Sequence, residues 1–238
     1  QLLEEIAKER CSLETSFLPK WASQERLLGV PMGGGFIDIG IPEDYFRAQD
    51  LIGKWLVDPQ KRALFLDRDG ILVEDVPYLS NINDIRVMDT VVDALKVLME
   101  REVLLFVTTN QAGIAKGKFT LKNFEFVQST IEQILKQDYG IQFDETLYCP
   151  YHEEGAVEPY NRPSYLRKPW PGMHLKILDE YNVDIKNSLM IGDKDSDIIR
   201  LPGLKHYLLK GNYPLASDPQ IIRETQSSLA AEVLKFFK

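Results

Sequence analysis

Two acidic side chains stand one residue apart at the end of a short apolar run. The run spans residues 63–66, and Asp67 and Asp69 follow it. Residues two apart on extended backbone point to the same side, so both carboxylates can face one site. Close carboxylates repel each other unless a cation or a shared proton intervenes, and hard oxygen ligands suit Mg²⁺. The pair therefore indicates a magnesium site, although an ordinary acidic turn after a strand fits the same residues.

Two further apolar runs end in polar residues in the same way. Residues 103–107 precede Thr108 and Thr109, and residues 188–191 are followed by Gly192 and Asp193. Short apolar runs bounded by polar residues are typical of buried parallel strands, and such sheets bind ligands beyond the carboxyl ends of their strands. We therefore expect these polar groups to meet at one edge of a sheet.

Segments with helical spacing separate the predicted strands. Apolar residues recur at helical intervals in residues 88–99, 120–135, 171–181 and 228–237, and further short strands are predicted at 146–149 and 206–209. Strands that alternate with helices predict an α/β fold with a doubly wound parallel sheet.

The ordered set of polar residues resembles the haloacid dehalogenase (HAD) superfamily of aspartyl-phosphate phosphohydrolases. The matching stretches are Asp67-x-Asp69, Thr109, Lys168 and Gly192-Asp193-x-x-x-Asp197. The sequences Asp67-Arg68-Asp69-Gly70, Thr109-Asn110-Gln111 and Arg167-Lys168-Pro169 are similar to the branch that contains D,D-heptose 1,7-bisphosphate phosphatase and histidinol phosphatase. The resemblance covers about residues 61–210 and implies a HAD-like Rossmannoid three-layer fold with a mainly parallel sheet and a short or absent cap.

The resemblance implies a role for each catalytic candidate. Asp67 is expected to be the nucleophile that forms an aspartyl-phosphate, and Asp69 the general acid and base. Mg²⁺ is expected among Asp67, Asp69 and Asp193, with the backbone carbonyl of Asp69 as a further ligand. Lys168 is expected to stabilise the transferring phosphoryl oxygens. Asp197 is expected to orient Lys168 or a metal-bound water, although a solvated acid at a helix start fits it too.

Neighbouring residues are expected to recognise phosphate and substrate. Thr109 and Asn110 are assigned to phosphate binding by the resemblance. Alternation along the strand points Thr108 and Thr109 to opposite sides, and the match of Thr109-Asn110-Gln111 to the family favours Thr109 over the competing hydroxyl of Thr108. Arg167 abuts Lys168 and is expected to reach the leaving group or its second phosphate, since a guanidinium offers paired donors to phosphate oxygens. A structural salt bridge is the alternative for Arg167. Weaker candidates are Arg162 and Lys116.

The loop after residues 146–149 carries part of a zinc-site pattern. In the branch named above, this loop binds zinc through one cysteine, one histidine and a Cys-x-Cys pair. Here Cys149 fits, but Tyr151 takes the histidine position, and Ser164 and Leu166 stand where the Cys-x-Cys belongs. A structural zinc site needs four Cys or His ligands and this loop offers at most two, so zinc is not expected.

Residues 10–50 resemble the C-terminal end of sugar-1-phosphate nucleotidyltransferases. In that pattern a strand carrying Asp38 leads through Gly40-x-Pro42 into a helix. The expected organisation is a nucleotidyltransferase-like C-terminal remnant at 1–52 as an N-terminal appendage, a linker at 53–62, and a HAD-like phosphatase domain at 63–238. The sequence contains no glycine-rich loop of the kind that begins a nucleotidyltransferase, so this piece is expected to lack that activity. A fusion to such a domain upstream is expected.

Composition limits the class of partner. A net charge of −8 argues against general nucleic-acid binding. No apolar run approaches the ~20 residues of a membrane span. Two cysteines, Cys11 and Cys149, cannot form a disulfide framework, so a cytoplasmic location is expected. The expected partner is a small-molecule phosphate ester.

Three functions fit the sequence. The first is a Mg²⁺-dependent phosphatase that acts on a small sugar phosphate, most specifically D-glycero-D-manno-heptose 1,7-bisphosphate; the nucleotidyltransferase-like remnant supports it, because heptose activation needs both steps. The second is a histidinol-phosphate phosphatase, for which Glu153, Glu154 and Glu158 could meet the substrate's amine and imidazole. The third is a non-catalytic module of a fusion protein, against which the complete set of catalytic candidates argues.

Overall fold

The computed structural model describes residues 12–27, 29, 36–57, 59–210, 213–215, 221–223 and 225–238. The chain divides into two compact units, residues 1–31 and 32–238. In the first unit, a π-helical turn at Leu13–Phe17 continues into helix α1, Leu18–Ser23. Ser12 caps that turn, because its hydroxyl accepts the N–H of Thr15. The sequence also predicts a helix around residues 2–7 and a turn at 33–35; both segments, and Cys11, lie outside the described residues.

In the second unit, strands and helices alternate. The strands are β1 Ala63–Leu66, β2 Leu104–Asn110, β3 Glu145–Cys149, β4 Leu189–Gly192, β5 Lys205–Leu209 and β6 Ile221–Arg223. The helices are α2 Pro42–Val57, α3 Asp89–Glu100, α4 Ala112–Ala115, α5 Leu121–Tyr139, α6 Gly172–Glu180 and α7 Gln226–Phe236, with 3₁₀ turns at Ile82–Asp84, Ile185–Asn187 and Asp195–Asp197. The predicted alternation is confirmed. Of the helices within the described ranges, none combines the length and the apolar character needed to span a bilayer.

The six strands form one parallel sheet in the order β3-β2-β1-β4-β5-β6. From β1 the chain first builds outward through β2 and β3, then returns to the other side of β1 and adds β4, β5 and β6. The strand order therefore reverses next to β1. In sheets of this kind ligands bind at that reversal, beyond the carboxyl ends of the strands. Asp67 is the residue that follows β1 at this point.

The strands β1, β2 and β4 send side chains into two separate cores. Leu64 and Leu66 belong to one buried cluster, which includes residues of α3, α5 and α7. Phe65 belongs to a second cluster, which includes residues of α6. Full burial of one such side chain contributes about 1.5–3 kcal/mol, so the central strand is anchored from both faces. The result is the three-layer arrangement that we predicted.

The two segments in which a cap domain could be inserted contain little regular secondary structure. Residues 67–88, between β1 and α3, contain one 3₁₀ turn and the isolated bridges of Val73 with Asp69 and with Val87. Residues 150–171, between β3 and α6, contain neither a helix nor a strand. Both segments are fully described, and neither forms a cap domain, in agreement with the expected short or absent cap.

The strand predicted to carry Asp38, in the segment that precedes the sheet in the sequence, is wrong. The helix α2 begins at Pro42 as expected, but residues 36–39 do not form the predicted strand. The Asp38 Oδ1 instead accepts the N–H of Gly40 at 2.8 Å. An extended segment needs a neighbouring strand to pair its backbone groups, and none of the described residues supplies one. The helix α2 also continues through residue 53, where we placed the start of a linker; the domain boundaries stay a prediction.

Candidate active site

Asp67 is fixed at the carboxyl end of β1. Its N–H donates to the Ile191 carbonyl at 2.9 Å, so the pairing of β1 with β4 continues one residue beyond the strand. Its Oδ1 accepts the N–H of Arg68 at 2.8 Å and lies 3.0 Å from Lys168 Nζ. The side chain is buried. The carboxylate therefore has one held oxygen and sits at the edge of the sheet predicted to bind ligands.

Lys168 lies between two buried carboxylates. Its Nζ is 2.6 Å from Asp197 Oδ1 and 3.0 Å from Asp67 Oδ1. Burial alone would lower the pKa of this amine, but the two carboxylates outweigh it and raise the pKa above its usual value. Lys168 therefore stays charged inside the protein, and the expected contact between Asp197 and Lys168 is confirmed.

Asp193 and Asp197 lie on the turn that follows β4. The Asp197 Oδ2 accepts the N–H groups of Asp193 at 3.2 Å and of Lys194 at 3.0 Å. A Cβ at Gly192 would collide with the Asp197 carboxylate, so the glycine permits this close turn. Burial raises the pKa of Asp193 to about 7, with the charges of Asp67 and Asp197 adding to it and that of Lys194 opposing it.

Three of these carboxylates could hold a cation together. Asp67, Asp193 and Asp197 each place one oxygen within 4.8 Å of the others. Among the described residues, none donates a hydrogen bond to Asp193 Oδ1, and Lys194 Nζ lies 3.8 Å from it. Burial also raises the pKa of Asp197 to about 6. Such crowded oxygen ligands repel each other, and their type fits a hard divalent cation such as Mg²⁺.

Asp69 belongs to the same turn, but its carboxylate has other partners. Arg68 donates from Nε to Oδ1 at 2.9 Å and from Nη2 to Oδ2 at 3.0 Å. Gln111 Nε2 also donates to Oδ2 at 3.0 Å. Gly70 has a φ of +83°, and a Cβ there would lie 2.5 Å from Asp193 Oδ2. The Asp69 carboxylate thus lies outside the three-carboxylate group. Metal binding by Asp69 would then use its backbone carbonyl, and this stays a prediction.

The end of β2 points Thr109 towards Asp69. The Thr109 Oγ1 accepts a hydrogen bond from Gln111 Nε2 at 2.9 Å, and the same nitrogen donates to Asp69. Thr108 points to the other face, where its Oγ1 lies 3.9 Å from Met190 Sδ. Alternation along the strand therefore selects Thr109 over Thr108, as predicted. Phosphate binding by Thr109 stays a prediction.

Asn110 fastens the Lys168 loop to β2. Its Nδ2 donates to the Lys168 carbonyl at 3.1 Å, and its Oδ1 accepts the Lys168 N–H at 3.0 Å. Both the nitrogen and the oxygen of the Asn110 amide therefore form hydrogen bonds with the Lys168 backbone. This positions Lys168 against the sheet, a role that the residue type alone did not reveal. Phosphate binding by Asn110, which we predicted, stays a prediction.

A cavity of about 290 Å³ opens beside Asp69. Its lining residues include Arg68, Asp69, Asp75, Tyr78, Asn110, Gln111, Phe119, Lys194 and Tyr213. We call Asp75, Tyr78, Lys194 and Tyr213 the rim, and Asp67, Lys168, Asp193 and Asp197 the charge centre. Sequence analysis did not select Asp75, Tyr78 or Tyr213, because a single polar or aromatic residue in a loop forms no pattern with its neighbours.

Arg167 and Arg162 lie in the loop of residues 150–171 and contact Tyr151. The Arg167 Nη1 donates to the Tyr151 carbonyl at 3.5 Å, and the Arg162 guanidinium lies 4.8 Å from the ring centroid. Burial lowers the pKa of the Arg167 guanidinium and raises that of the Cys149 thiol. Arg167 is not among the residues that line the cavity, and its predicted contact with the leaving group stays a prediction.

Comparison with family models and characterised proteins shows what the chain is similar to. Residues 64–208 match the model of the family described as polynucleotide kinase 3 phosphatase. A protein of Escherichia coli named D-glycero-beta-D-manno-heptose-1,7-bisphosphate 7-phosphatase is 40% identical over 136 residues, which cover 57% of this chain and 71% of that protein. A protein of the same name from Vibrio cholerae is 38% identical over 139 residues, 58% of this chain and 74% of that protein.

Two solved structures resemble the fold. A HAD-like phosphatase from Mesorhizobium loti has a TM-score of 0.66 and 30% identity, with 76% of this chain and 87% of that chain covered. The D,D-heptose 1,7-bisphosphate phosphatase from B. bronchiseptica, complexed with magnesium and phosphate, has a TM-score of 0.59 and 22% identity, with 73% and 98% covered. The HAD-like Rossmannoid fold expected from the sequence is confirmed.

Proposed function

We infer the function from one premise: the chain belongs to the polynucleotide kinase 3 phosphatase family of HAD-like phosphatases and is a phosphoric monoester hydrolase. We propose that it is Mg²⁺-dependent and hydrolyses a small sugar phosphate, most specifically D-glycero-D-manno-heptose 1,7-bisphosphate. The observation that carries the proposal is the charge centre at the carboxyl end of β1, where Lys168 lies within 3.0 Å of Asp67. The names of relatives at about 40% identity support the substrate.

Asp67 is the nucleophile in this proposal. Its Oδ1 is held by Lys168 and by the Arg68 N–H, which leaves Oδ2 to attack phosphorus. The bond from phosphorus to the sugar oxygen breaks as the aspartyl-phosphate forms, and Asp69 gives a proton to the leaving oxygen. Water then attacks the aspartyl-phosphate, Asp69 takes a proton from it, and inorganic phosphate leaves. Asp67 thereby returns to its starting form.

Lys168 and Thr109 stabilise the phosphoryl group. The Lys168 ammonium is buried and stays charged between two carboxylates, so its charge acts at low dielectric on the phosphoryl oxygens. Asn110 holds the backbone of Lys168 and so keeps the ammonium in position. The Thr109 hydroxyl, which faces Asp69 through Gln111, is placed to donate to a phosphate oxygen.

Mg²⁺ fits beside this nucleophile. Asp67, Asp193 and the backbone carbonyl of Asp69 are the proposed ligands. Asp197 is left out, because its two oxygens already serve Lys168 and two backbone N–H groups. When bound, the ion would neutralise charge between the carboxylate and the phosphate. The observation that supports a ligand at this position is that Asp193 Oδ1 is buried and accepts no hydrogen bond from the described residues.

The cavity supports a leaving group the size of one sugar. Its polar rim offers a carboxylate at Asp75 for hydroxyl groups and an ammonium at Lys194 for an anionic group. The second candidate, histidinol phosphate, depended on Glu153, Glu154 and Glu158, all of which are exposed in the loop after β3 and do not line the cavity. The geometry therefore favours the sugar phosphate.

The test is phosphate release from a panel of esters. The wild-type chain is assayed with Mg²⁺ and, separately, with EDTA on heptose 1,7-bisphosphate, histidinol phosphate and p-nitrophenyl phosphate. We expect kcat/KM to be highest on the heptose bisphosphate and turnover to vanish with EDTA. A preference for histidinol phosphate would refute the substrate assignment, and full turnover in EDTA would refute the metal.

We extend the proposal to the context of the enzyme. Residues 1–52 are proposed to be the C-terminal remnant of a nucleotidyltransferase-like domain, fused upstream in the natural protein, and the enzyme is proposed to act in the cytoplasm. Zinc is proposed to be absent from the end of β3 and the loop that follows it, where Cys149 and His152 offer at most two ligands. Elemental analysis is expected to find well below one zinc per chain; stoichiometric zinc would overturn this part.

A further inference from the structure

Tyr213 lies beyond β5 and outside the segment matched by the family model. Its ring faces the side chain of Lys194, whose Nζ is 4.7 Å from the ring centroid. Its hydroxyl donates a hydrogen bond to the Asp75 carboxylate. One side chain therefore contacts both charged residues of the rim, one through its face and the other through its hydroxyl.

Lys194 stands between the rim and the charge centre. Its Nζ is 3.1 Å from Asp75 Oδ2 on one side and 3.8 Å from Asp193 Oδ1 on the other. Asp75 and Asp193 therefore compete for one ammonium. If the ammonium moved to Asp193, it would leave the rim and occupy the oxygen that we assign to the metal.

We propose that Tyr213 is a specificity-determining positioning residue that holds the Lys194 ammonium at the rim, where it meets an anionic part of the leaving group. The inference rests on the proposed function, because it concerns the leaving-group side of the same site. Tyr213 acts through Lys194 and Asp75, and it takes no part in the bond changes at phosphorus.

The contact chemistry suits this role. An aromatic face attracts an ammonium electrostatically but carries no net charge, so the cation stays available to a phosphate. A second carboxylate in place of the Tyr213 ring would neutralise the Lys194 ammonium. The Tyr213 hydroxyl meanwhile occupies part of the Asp75 carboxylate and fixes it on the ring side of Lys194. Both contacts bias the ammonium away from Asp193.

The experiment compares Tyr213→Leu with Tyr213→Phe in the full chain. Tyr213→Leu removes both contacts, while Tyr213→Phe keeps the ring over Lys194 and removes only the hydroxyl. On heptose 1,7-bisphosphate, whose leaving group carries a second phosphate, we expect KM to rise about tenfold for Tyr213→Leu and about threefold for Tyr213→Phe, because a cation–aromatic contact of this kind contributes on the order of 1 kcal/mol. We expect kcat to change less than about threefold.

Two comparisons separate positioning from general damage. On p-nitrophenyl phosphate, which carries no second anionic group, KM is expected to change less than about twofold. The control Tyr45→Leu removes a tyrosine of similar exposure, 49% against 44%, on α2 and outside the cavity, and is expected to match the wild type on both esters.

Coupling to the lysine is the decisive measurement. In a Lys194→Met background, Tyr213→Leu is expected to add less than about a twofold change in KM, because the ammonium that it positions is gone. Equal losses on both esters, an unchanged KM in both Tyr213 variants, or the same added loss in the Lys194→Met background would each overturn the inference. Since each variant is compared with the wild type on the bisphosphate and on the aryl phosphate, a wrong heptose assignment shows as a wild-type preference for another ester in the panel and not in these ratios.

Discussion

The charge centre and the rim sit side by side at one edge of the sheet, yet they are built differently. Lys168 is 2% exposed and its charge is matched by carboxylates within 3.0 Å, whereas Tyr213 is 44% exposed and its partner Lys194 is shared between two acids. Asp67, Asp193 and Asp197 of the centre stand at strand ends or on the turns beside them, and Asn110 fastens the loop of Lys168 to β2. In the rim, Lys194 lies on the turn after β4, whereas Asp75, Tyr78 and Tyr213 lie on loops. Rigid elements thus carry or fasten the groups that we propose to change bonds, and loops carry most of those that we propose to read the substrate.

The largest expected effect comes from a substitution in the charge centre that leaves the rim unchanged. Asp67→Asn keeps the size of the side chain and an oxygen for the Arg68 N–H, but it removes the nucleophilic carboxylate. We expect kcat to fall on the order of a thousandfold or more on every ester. The variant is expected to stay folded, with a cooperative thermal unfolding transition, because Lys168 keeps Asp197 as its partner. Phosphate release by this variant near the wild-type rate would show that no aspartyl-phosphate forms.

The second prediction separates charge balance from chemistry. Lys168→Met leaves Asp197 and Asp67 without their buried cation, and removal of one partner from a buried pair costs about 3–5 kcal/mol. Turnover is expected to fall at the same time. Urea unfolding measures the first effect and phosphate release the second.

The paired variant sharpens this result. Lys168→Met combined with Asp197→Asn removes one charge of each sign, so we expect it to recover part of the lost stability and none of the lost turnover. If the double variant recovered turnover as well, Lys168 would contribute to structure alone.

A substitution of Arg167 tests whether substrate recognition extends beyond the rim. It abuts Lys168 in sequence, but its guanidinium contacts the Tyr151 carbonyl. If it also reads the leaving group, Arg167→Ala is expected to raise KM for a sugar bisphosphate about tenfold and for an aryl phosphate less than about twofold. The control is Arg162→Ala in the same loop, which removes a cation from the Tyr151 ring. Equal losses on both esters would assign Arg167 to the structure of the loop.

The smallest expected effect is a loss of stability at low pH, caused by a histidine in the sheet that supports both regions. His206 lies in β5, its Nε2 accepts the Ile199 N–H, and burial lowers its pKa from 6.5 to about 4. The folded protein therefore keeps this histidine neutral while the unfolded chain gains a proton below pH 6.5. Stability is lost as the pH falls from about 6.5 towards 4, by about 1 kcal/mol between pH 7 and 5.5.

Urea unfolding at the two pH values checks this in the wild type and in His206→Gln, which keeps an acceptor but does not titrate. The loss is expected to be smaller in the variant by about 1 kcal/mol. An equal pH dependence in both proteins would show that other groups carry it. His174 is also buried, with a pKa well below its usual value because of burial, so part of the acid sensitivity is expected to remain.

The two regions also differ in how far the sequence revealed them. Asp67 and Asp193 could be predicted because each ends an apolar run, and the run dictates a buried strand whose end must face the sheet edge. Asp75 and Tyr213 could not, since their meeting depends on how two loops cross the edge of the sheet. The two backbone hydrogen bonds of Asn110 depend on the same kind of tertiary placement.

The fold shows the same division. Strands of four to seven residues with apolar side chains were predicted, whereas β6 has three residues, too few to show a period. The strand predicted at residues 36–39 failed for the opposite reason. Its composition suits a strand, but pairing needs a neighbour, and no local pattern reports whether one exists.

The strand order has a consequence for the time course of synthesis. The strand β1 pairs with β2 on one side and with β4 on the other, and the Ala63 N–H finds its partner in the Ser188 hydroxyl 125 residues later. At roughly 5–20 residues per second, a ribosome takes about 6–25 s to make that stretch. During this interval the β4 side of β1 is an open hydrogen-bonding edge, and Asp67 has already emerged without Lys168 or Asp193. The nascent chain therefore carries the proposed nucleophile long before it carries the groups that we propose to activate it.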